Sequence, residues 1–321
     1  MTGRPSRAAF FWEGGMELYY EGVDITEDVD VKACVHRDHA GGRCDGLILE
    51  LESAARWYAW GPKKDDRIEV RHGGYTTGRL YLHSFMPEDG VFRILAMSMP
   101  GGAYRKAWGS FEKTTLAGVM RASAAECGMD WRLYGLDANA LYPYLTRKNE
   151  SCPAFLDRLM RLEGAALKCY DGQMVGISIE YAQRLDAAVS VDILADQPGV
   201  THRLSDGKRL LGIEIRTPYA SAVATDTAAL DATDRPVYAE LPVLDGVHAG
   251  RWARGMLLCH NRLAEELVIE SVFNPAMTAM ARVDVSSATG AAGEWLVHEA
   301  EHDFVNMKTT AKMHRCITSI R

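Results

Sequence analysis

Beyond a short lead, the chain settles into alternation. Leu18 and Tyr20, then Val29, Val31, Ala33 and Val35, recur at every second position between mostly polar residues, the period of a half-buried strand. Leu47, Leu49 and Leu51 repeat it against Ile48, Glu50 and Glu52, and Ile68-Glu69-Val70 follows. After the Gly73-Gly74 turn signal come Leu80 and Leu82, then Phe92, Ile94, Ala96 and Ser98. Successive side chains on a strand point to opposite faces, so this spacing offers one face to a core. Many short strands punctuated by glycine and proline predict a small barrel or sandwich over residues 1–105.

The period changes near residue 110. Thr114 or Thr115 is placed to cap a helix through Leu116, Val119, Met120 and Ala124 to Cys127, with Gly128 stopping it. Ser151 opens a second helix, with Pro153 in its first turn. Phe155, Leu156, Leu159, Met160 and Leu162 keep helical spacing up to Gly164. Residues 167–170, the Asp171-Gly172 turn and 174–179 predict a hairpin. Residues 106–182 therefore read as an α+β insert.

From 183 onward strands return, at 189–194, 210–216 and 282–285. A helix over 251–267 interrupts them, with Trp252, Met256, Cys259, Leu263 and Leu267 along one stripe. The Ala/Thr/Asp mixture over 222–234 reads as a loop, and the runs 295–302 and 309–320 are predicted to pair. Residues 183–321 are thus a second barrel-like domain with an inserted helix. The fold class is mainly β with an α+β insert, built on two small antiparallel β-barrel-like domains.

Composition narrows the function. The 321 residues are 47% hydrophobic and 25% charged, enough for two or three self-supporting domains. The net charge is −7, and the cationic groups, Lys63-Lys64 and the Lys308/Lys312 pair, are small and isolated, which argues against specific nucleic-acid binding. Seven cysteines without a C-x-x-C pair read as reduced, mostly buried thiols. The apolar run 8–12 is too short for a signal peptide, and no stretch approaches the ~20 apolar residues of a membrane span. These features predict synthesis and assembly in a cytoplasm.

Two segments could carry metal chemistry. His298-Glu299-Ala300-Glu301-His302 fits H-E-x-x-H, which on a helix sets two imidazoles on one face for zinc, with the glutamate as general base. Its flanks alternate, however: Leu296, His298, Ala300, His302 and Phe304 would share one strand face, and no third histidine follows at the longer zinc spacing. Cys34, His36, His39 and Cys44 surround Ala40-Gly41-Gly42 at a spacing that matches no common finger or ribbon. A polar hairpin tip with cysteines at strand ends accounts for them. Gly73-Gly74 and Gly101-Gly102 lack a phosphate cradle, and no serine sits in a G-x-S-x-G elbow. No residue is assigned a catalytic, cofactor-binding or metal-binding role, and a zinc-dependent hydrolase using the 298–302 segment is the alternative from another class.

A longer pattern has a family likeness. Gly42-Arg43-Cys44-Asp45-Gly46 leads into the alternation 47–51; then come Trp57-Tyr58-Ala59-Trp60-Gly61-Pro62-Lys63-Lys64-Asp65-Asp66, Arg67-Ile68-Glu69-Val70, Gly74-Tyr75 and Thr77-Gly78. This succession resembles the first barrel of the phage late control D family, the baseplate hub proteins of contractile tails, with Asp65-Asp66 in place of the usual Gly-Asp turn. Trp295-Leu296-Val297 to His302, a turn and Thr309-Thr310 resemble that family's final hairpin, and the two-helix insert is similar too. The hub portion of type VI secretion spike proteins is a further likeness. The resemblance implies a structural role without catalysis or cofactor. Three chains of two barrels close into a homotrimeric, pseudo-sixfold ring that joins a sixfold tail tube, or tube-initiator protein, to a trimeric tail spike protein. A tape-measure protein is a further implied partner, and the place is the virion tail baseplate, or that of a phage-like particle, assembled in the host bacterial cytoplasm. For such a ring the acidic balance predicts a lumen to which DNA or an extended protein does not stick.

Overall fold

The computed structural model describes residues 15–321 apart from 53, 89, 195 and 206–208; the lead, with its apolar run 8–12, lies outside the described residues. One long curled sheet organises the chain. Its first half runs in antiparallel order Val31–His39, Gly46–Glu52, Val91–Met97, Leu80–Glu88, Arg67–His72, Glu17–Tyr20 and Val23–Asp24. Leu47, Leu49 and Leu51 are fully buried, as their alternation predicts, and pack with Leu18, Val70, Leu82 and Ile94 in one core.

Two details of this half differ from the sequence pattern. The pairing of Val31–His39 with Gly46–Glu52 shifts register between Val31 and Ala33. That bulge exchanges the faces: Val31 packs on the core, but beyond it Cys34 and His36 point inward while Ala33 and Val35 are only half-buried. The stretch around Trp57 is a short helix, Ala54–Ala59, where the sequence pattern predicts only strands. Trp57 anchors it, edge-on to Tyr20 at 5.2 Å between ring centroids.

The second half has the antiparallel order Gly293–Asp303, Lys308–Arg315, Glu265–Val272, Val200–Leu204. Arg282–Ser287 lies on the other side of Gly293–Asp303 and carries Val189–Ile193 in parallel. The predicted pairing of the last two runs is present, with His302 opposite Thr309. Leu267, Ile269, Val283, Trp295, Val297 and Met313 form this half's core. The two halves are one sheet because Gly293–Asp303 also pairs with Val31–His39, antiparallel, from Glu299↔His39 to Asp303↔Val35.

The middle of the chain holds the third core. Thr115 caps the helix Leu116–Glu126, its hydroxyl accepting from the Gly118 amide at 3.1 Å, and Ser151 caps Cys152–Leu162. The hairpin Ala165–Tyr170/Gln173–Ser178 turns at Asp171 and Gly172, both at positive φ, and Asp130–Tyr134 adds to it in parallel. A separate pair, Ala107–Thr115 with Leu141–Glu150, flanks the helices.

Residues 210–261 pack into this same core. Their helix is Gly246–Asn261, shifted from the expected 251–267. The Asp245 carboxylate accepts from the His248 amide at 2.8 Å and starts the helix early. It ends early because Leu267 and Ile269 alternate with Val268 and Glu270 in the strand Glu265–Val272, paired to Lys308–Arg315. Leu263, between the two, is half-exposed. The stretch expected as a loop contains the strand Ser221–Thr225, paired with Gly212–Arg216. Its alanines suit the position, since Ala222 lies 3.8 Å from where a side chain on Gly250 of the helix would begin. Helix meets helix closely too: a β-carbon on Gly255 would sit 2.3 Å from the Leu162 carbonyl oxygen.

Candidate functional site

The seam between the half-barrels is the place where all parts of the chain meet. Its central strand, Gly293–Asp303, changes partner midway. Residues 293–296 pair with Arg282–Ser287, and residues 299–303 pair with Val31–His39. The register against Lys308–Arg315 shifts between Val297 and Glu299, leaving His298 as the bulged residue. Val297 still exchanges hydrogen bonds with Met280 and Ala281, at 2.8 and 2.9 Å, whereas the His298 carbonyl already accepts from the Ala40 amide at 3.0 Å.

The bulge separates the two histidines expected to share a face. His302 lies with the aromatic rings of Tyr75, Phe273 and Phe304, 4.4 Å from Tyr75 between centroids. His298 lies across the sheet, stacked on His314 at 4.1 Å and 19°. Cys34, His36, His39 and Cys44 diverge as well. Cys34 is buried in the first core, and His36 Nδ1 meets the Tyr75 hydroxyl at 2.8 Å. His39 is turned to Glu299, with Nδ1 to Oε2 at 3.6 Å, and the Cys44 thiol lies 3.2 Å from the Met99 sulfur. Among the described residues, no three His, Cys, Asp or Glu side chains are placed to share a metal ion. All seven cysteines are free; Cys34, Cys127, Cys152 and Cys169 are buried, and the others half-buried.

The electrostatics of the seam fix its character. His36 and His302 are cross-strand partners. Burial pushes His36 down to about 3 and His302 down to about 4, so both rings are neutral near pH 7. His302 Nδ1 meets the Thr309 hydroxyl at 3.0 Å, and Thr309 in turn accepts from the Asn274 amide at 2.9 Å. Two residues from His36, Asp38 is buried and ion-paired to Lys168 of the middle hairpin. Its other oxygen accepts from the Ala279 amide at 2.9 Å. Asp45, also buried, lies 3.4 Å from Lys168 and accepts from the His39 amide at 2.9 Å. One ammonium thus faces two carboxylates. Burial, opposed by Lys168 and reinforced by Asp38, raises Asp45 to about 7, while Lys168 holds Asp38 below its ordinary value against burial.

Asp38, Lys168 and Ala279 belong to the first half, the middle hairpin and the second half, so a single buried cluster ties three parts of the chain. A pair of this kind fixes geometry more than it adds stability, because desolvation consumes most of the Coulomb gain. A second tie joins the middle to the later helix: Glu163 accepts from Tyr142 Oη at 2.8 Å, Arg251 Nε at 2.7 Å and Trp252 Nε1 at 2.6 Å. Neither tie was assigned from the sequence. Lys168 within the apolar run Ala165–Tyr170 is the only local signal for the first; nothing marks Asp38 or Glu163.

The rest of the surface offers area for contacts. Trp108 is 75% exposed on the two-stranded pair, and Tyr219, Leu230 and Val247 around the small 212–238 sheet are 79% to 86% exposed. Among the described residues, no helix is long and apolar enough to cross a membrane.

By sequence, the chain matches no protein-family model and no curated protein. By structure it is similar to the 43 kDa tail protein of prophage MuSo2 from Shewanella oneidensis, at TM-score 0.71 and 14% identity, over 94% of this chain and 98% of that one. It is similar to a tail protein from Neisseria meningitidis at TM-score 0.74 and 10% identity, over 95% and 97%. At TM-score 0.52 and 8% identity, over 94% and 77%, it is similar to the E. coli c3393 protein, a type VI secretion component with structural similarity to phage T4 tail proteins. Over nearly its whole length this chain has the fold of phage tail proteins, the fold that its resemblance to the late control D family implies.

Proposed function

We propose that the chain is a structural hub protein of a phage or phage-like contractile tail, three copies of which form a ring between the sixfold tube and the threefold spike. The observation that carries this reading is the single curled sheet made of two half-barrels, fused through Val31–His39 and Gly293–Asp303. Six half-barrels in three chains match a sixfold tube on one side and leave true threefold symmetry on the other. Among the described residues the sheet ends in open edges at Val23–Asp24, at Val200–Leu204 and, on the branch through Arg282–Ser287, at Val189–Ile193. Different edges of one molecule can meet head to tail, and a closed ring of such contacts consumes edges that would otherwise invite aggregation. In this reading the chain divides at 1–105, 106–182 and 183–321, with residues 210–261 of the last part packed onto the core of the middle one. It is assembled in a bacterial cytoplasm, and its partners are a tail tube or tube-initiator protein, a trimeric spike and the tape measure.

No catalytic role is part of this proposal. A zinc-dependent hydrolase at 298–302 needs both imidazoles on one side, and here they lie on opposite sides of the sheet. Native mass spectrometry tests the stoichiometry. Co-expressed with its spike, the chain should appear as three copies of 35.5 kDa on one spike trimer. A one-to-one or twofold stoichiometry with the spike would oppose the proposal.

A further inference from the structure

On the side of the sheet away from the aromatic seam lies a cleft of about 490 Å³, between the helix Cys152–Leu162, the helix Gly246–Asn261 and the bulge at His298. Its polar wall is cationic. Arg161 is offset by Asp157 at 2.9 Å and Arg158 by Glu150 at 2.9 Å. Arg262 lines the cleft without a carboxylate partner among the described residues, and its Nε is sealed from solvent without a hydrogen bond. Burial lowers the affinity of this guanidinium for its proton, reinforced by Arg161 and opposed by Cys259 and Asp157.

Beside it stand the stacked rings of His298 and His314, and His298 Nδ1 is likewise buried without a partner. Burial brings His298 to about 4 and His314 to about 3, so both rings are neutral donors or acceptors near pH 7. The rest of the lining includes the apolar side chains Leu162, Ile213, Met256 and Leu263.

We infer that this cleft binds a carboxylate carried on an apolar group, the chemistry of the C-terminal residue of a partner polypeptide, with Arg262 receiving the charge. One guanidinium without an ion-pair partner among the described residues matches one negative charge, which favours a carboxylate over a dianionic phosphate. A C-terminal leucine or phenylalanine places its carboxylate and its apolar side chain on the same carbon. The cleft likewise lines itself with a cation and with apolar side chains, Leu263 following Arg262 directly in the chain. The volume suits a group of one or two residues. The inference does not depend on the trimeric hub, since every residue used belongs to one chain.

The test titrates the full-length chain with N-acetyl-leucine, N-acetyl-leucinamide and inorganic phosphate, following the ring-proton resonances of His298 and His314 by NMR. The acid should bind saturably and shift both rings. The amide and phosphate should bind about tenfold more weakly or not at all. Arg262→Met should weaken the acid by about tenfold, and Arg262→Lys, which keeps the charge, by less. The Met variant should stay folded because it removes a buried charge that has no ion-pair partner among the described residues, and the acid–amide comparison needs no variant. Equal binding of acid and amide, equal binding of phosphate, no shift at either histidine, or undiminished binding by folded Arg262→Met would each overturn the inference.

Discussion

The amide of Ala40 donates to the carbonyl of His298 at 3.0 Å, at the residue where the strand Gly293–Asp303 leaves one barrel half for the other. A bulge there lets a single strand serve both halves of the sheet: Leu296 remains opposite Arg282, and Glu299 already faces His39. The bulged residue contributes backbone geometry more than side-chain energy. His298→Ala should therefore cost no more than about 1–2 kcal/mol, in line with ordinary substitutions. Deleting residue 298 should be far worse, because a one-residue slip turns Ala300, His302 and Phe304 outward. Urea denaturation of the two variants measures the difference, and equal costs would deny the bulge this role.

Lys168 compensates two buried carboxylates at once. Replacing it by methionine leaves Asp38 and Asp45 without a counter-charge, at a cost of about 3–5 kcal/mol. Adding Asp38→Asn and Asp45→Asn should recover much of that loss, since the penalty belongs to the stranded charges. Denaturation midpoints of the single and triple variants check this; a triple variant weaker than the single one would refute it.

Gly255 has no room for a side chain. An added β-carbon would lie 2.3 Å from the Leu162 carbonyl oxygen and 2.4 Å from the Gly164 amide nitrogen, both backbone atoms. Gly255→Ala should therefore destabilise by about 1–3 kcal/mol through overpacking, although alanine favours a helix. Gly250→Ala, whose β-carbon would meet the Ala222 side chain at 3.8 Å, is the control and should be neutral or slightly stabilising. Thermal melts of the two separate packing from propensity.

Acid should weaken the fold below about pH 6.5. Burial holds His36 and His314 at about 3 and His298 and His302 at about 4. The unfolded chain takes up protons on its histidines near 6.5, and the native chain does so only at about 4 to 3, so stability present above 6.5 is lost as pH falls. Asp45 works the other way: raised to about 7, it holds a proton between 7 and 3.8 that the unfolded chain releases. Four imidazoles outweigh one carboxyl, at about 1.4 kcal/mol per site and pH unit. Stability measured from pH 7 to 4.5 should fall, and Asp45→Asn should steepen the slope.

Elements with a strong local period were legible in the sequence. The 47–51 alternation, the cap at Ser151 and the Asp171-Gly172 turn are where the residues alone put them, and of the two candidate caps Thr114 and Thr115 it is Thr115 that serves. Bulges were not legible. Those near Lys32 and at His298 each invert the faces beyond them, because register depends on the partner strand, which the local pattern does not contain. The 251–267 stripe failed for a related reason: Leu263 and Leu267 satisfy a helical period, yet pairing with Lys308–Arg315 draws Leu267 into a strand. The Asp38–Lys168 tie spans 130 residues, so only the folded chain brings it together.

Cryo-electron microscopy of a tail particle that contains this chain tests the central claim most directly. The account predicts three copies in a closed ring where tube meets spike, with two half-barrels of each chain giving near-sixfold density on the tube side. A ring of six whole chains, or density for the chain anywhere other than that junction, would contradict it.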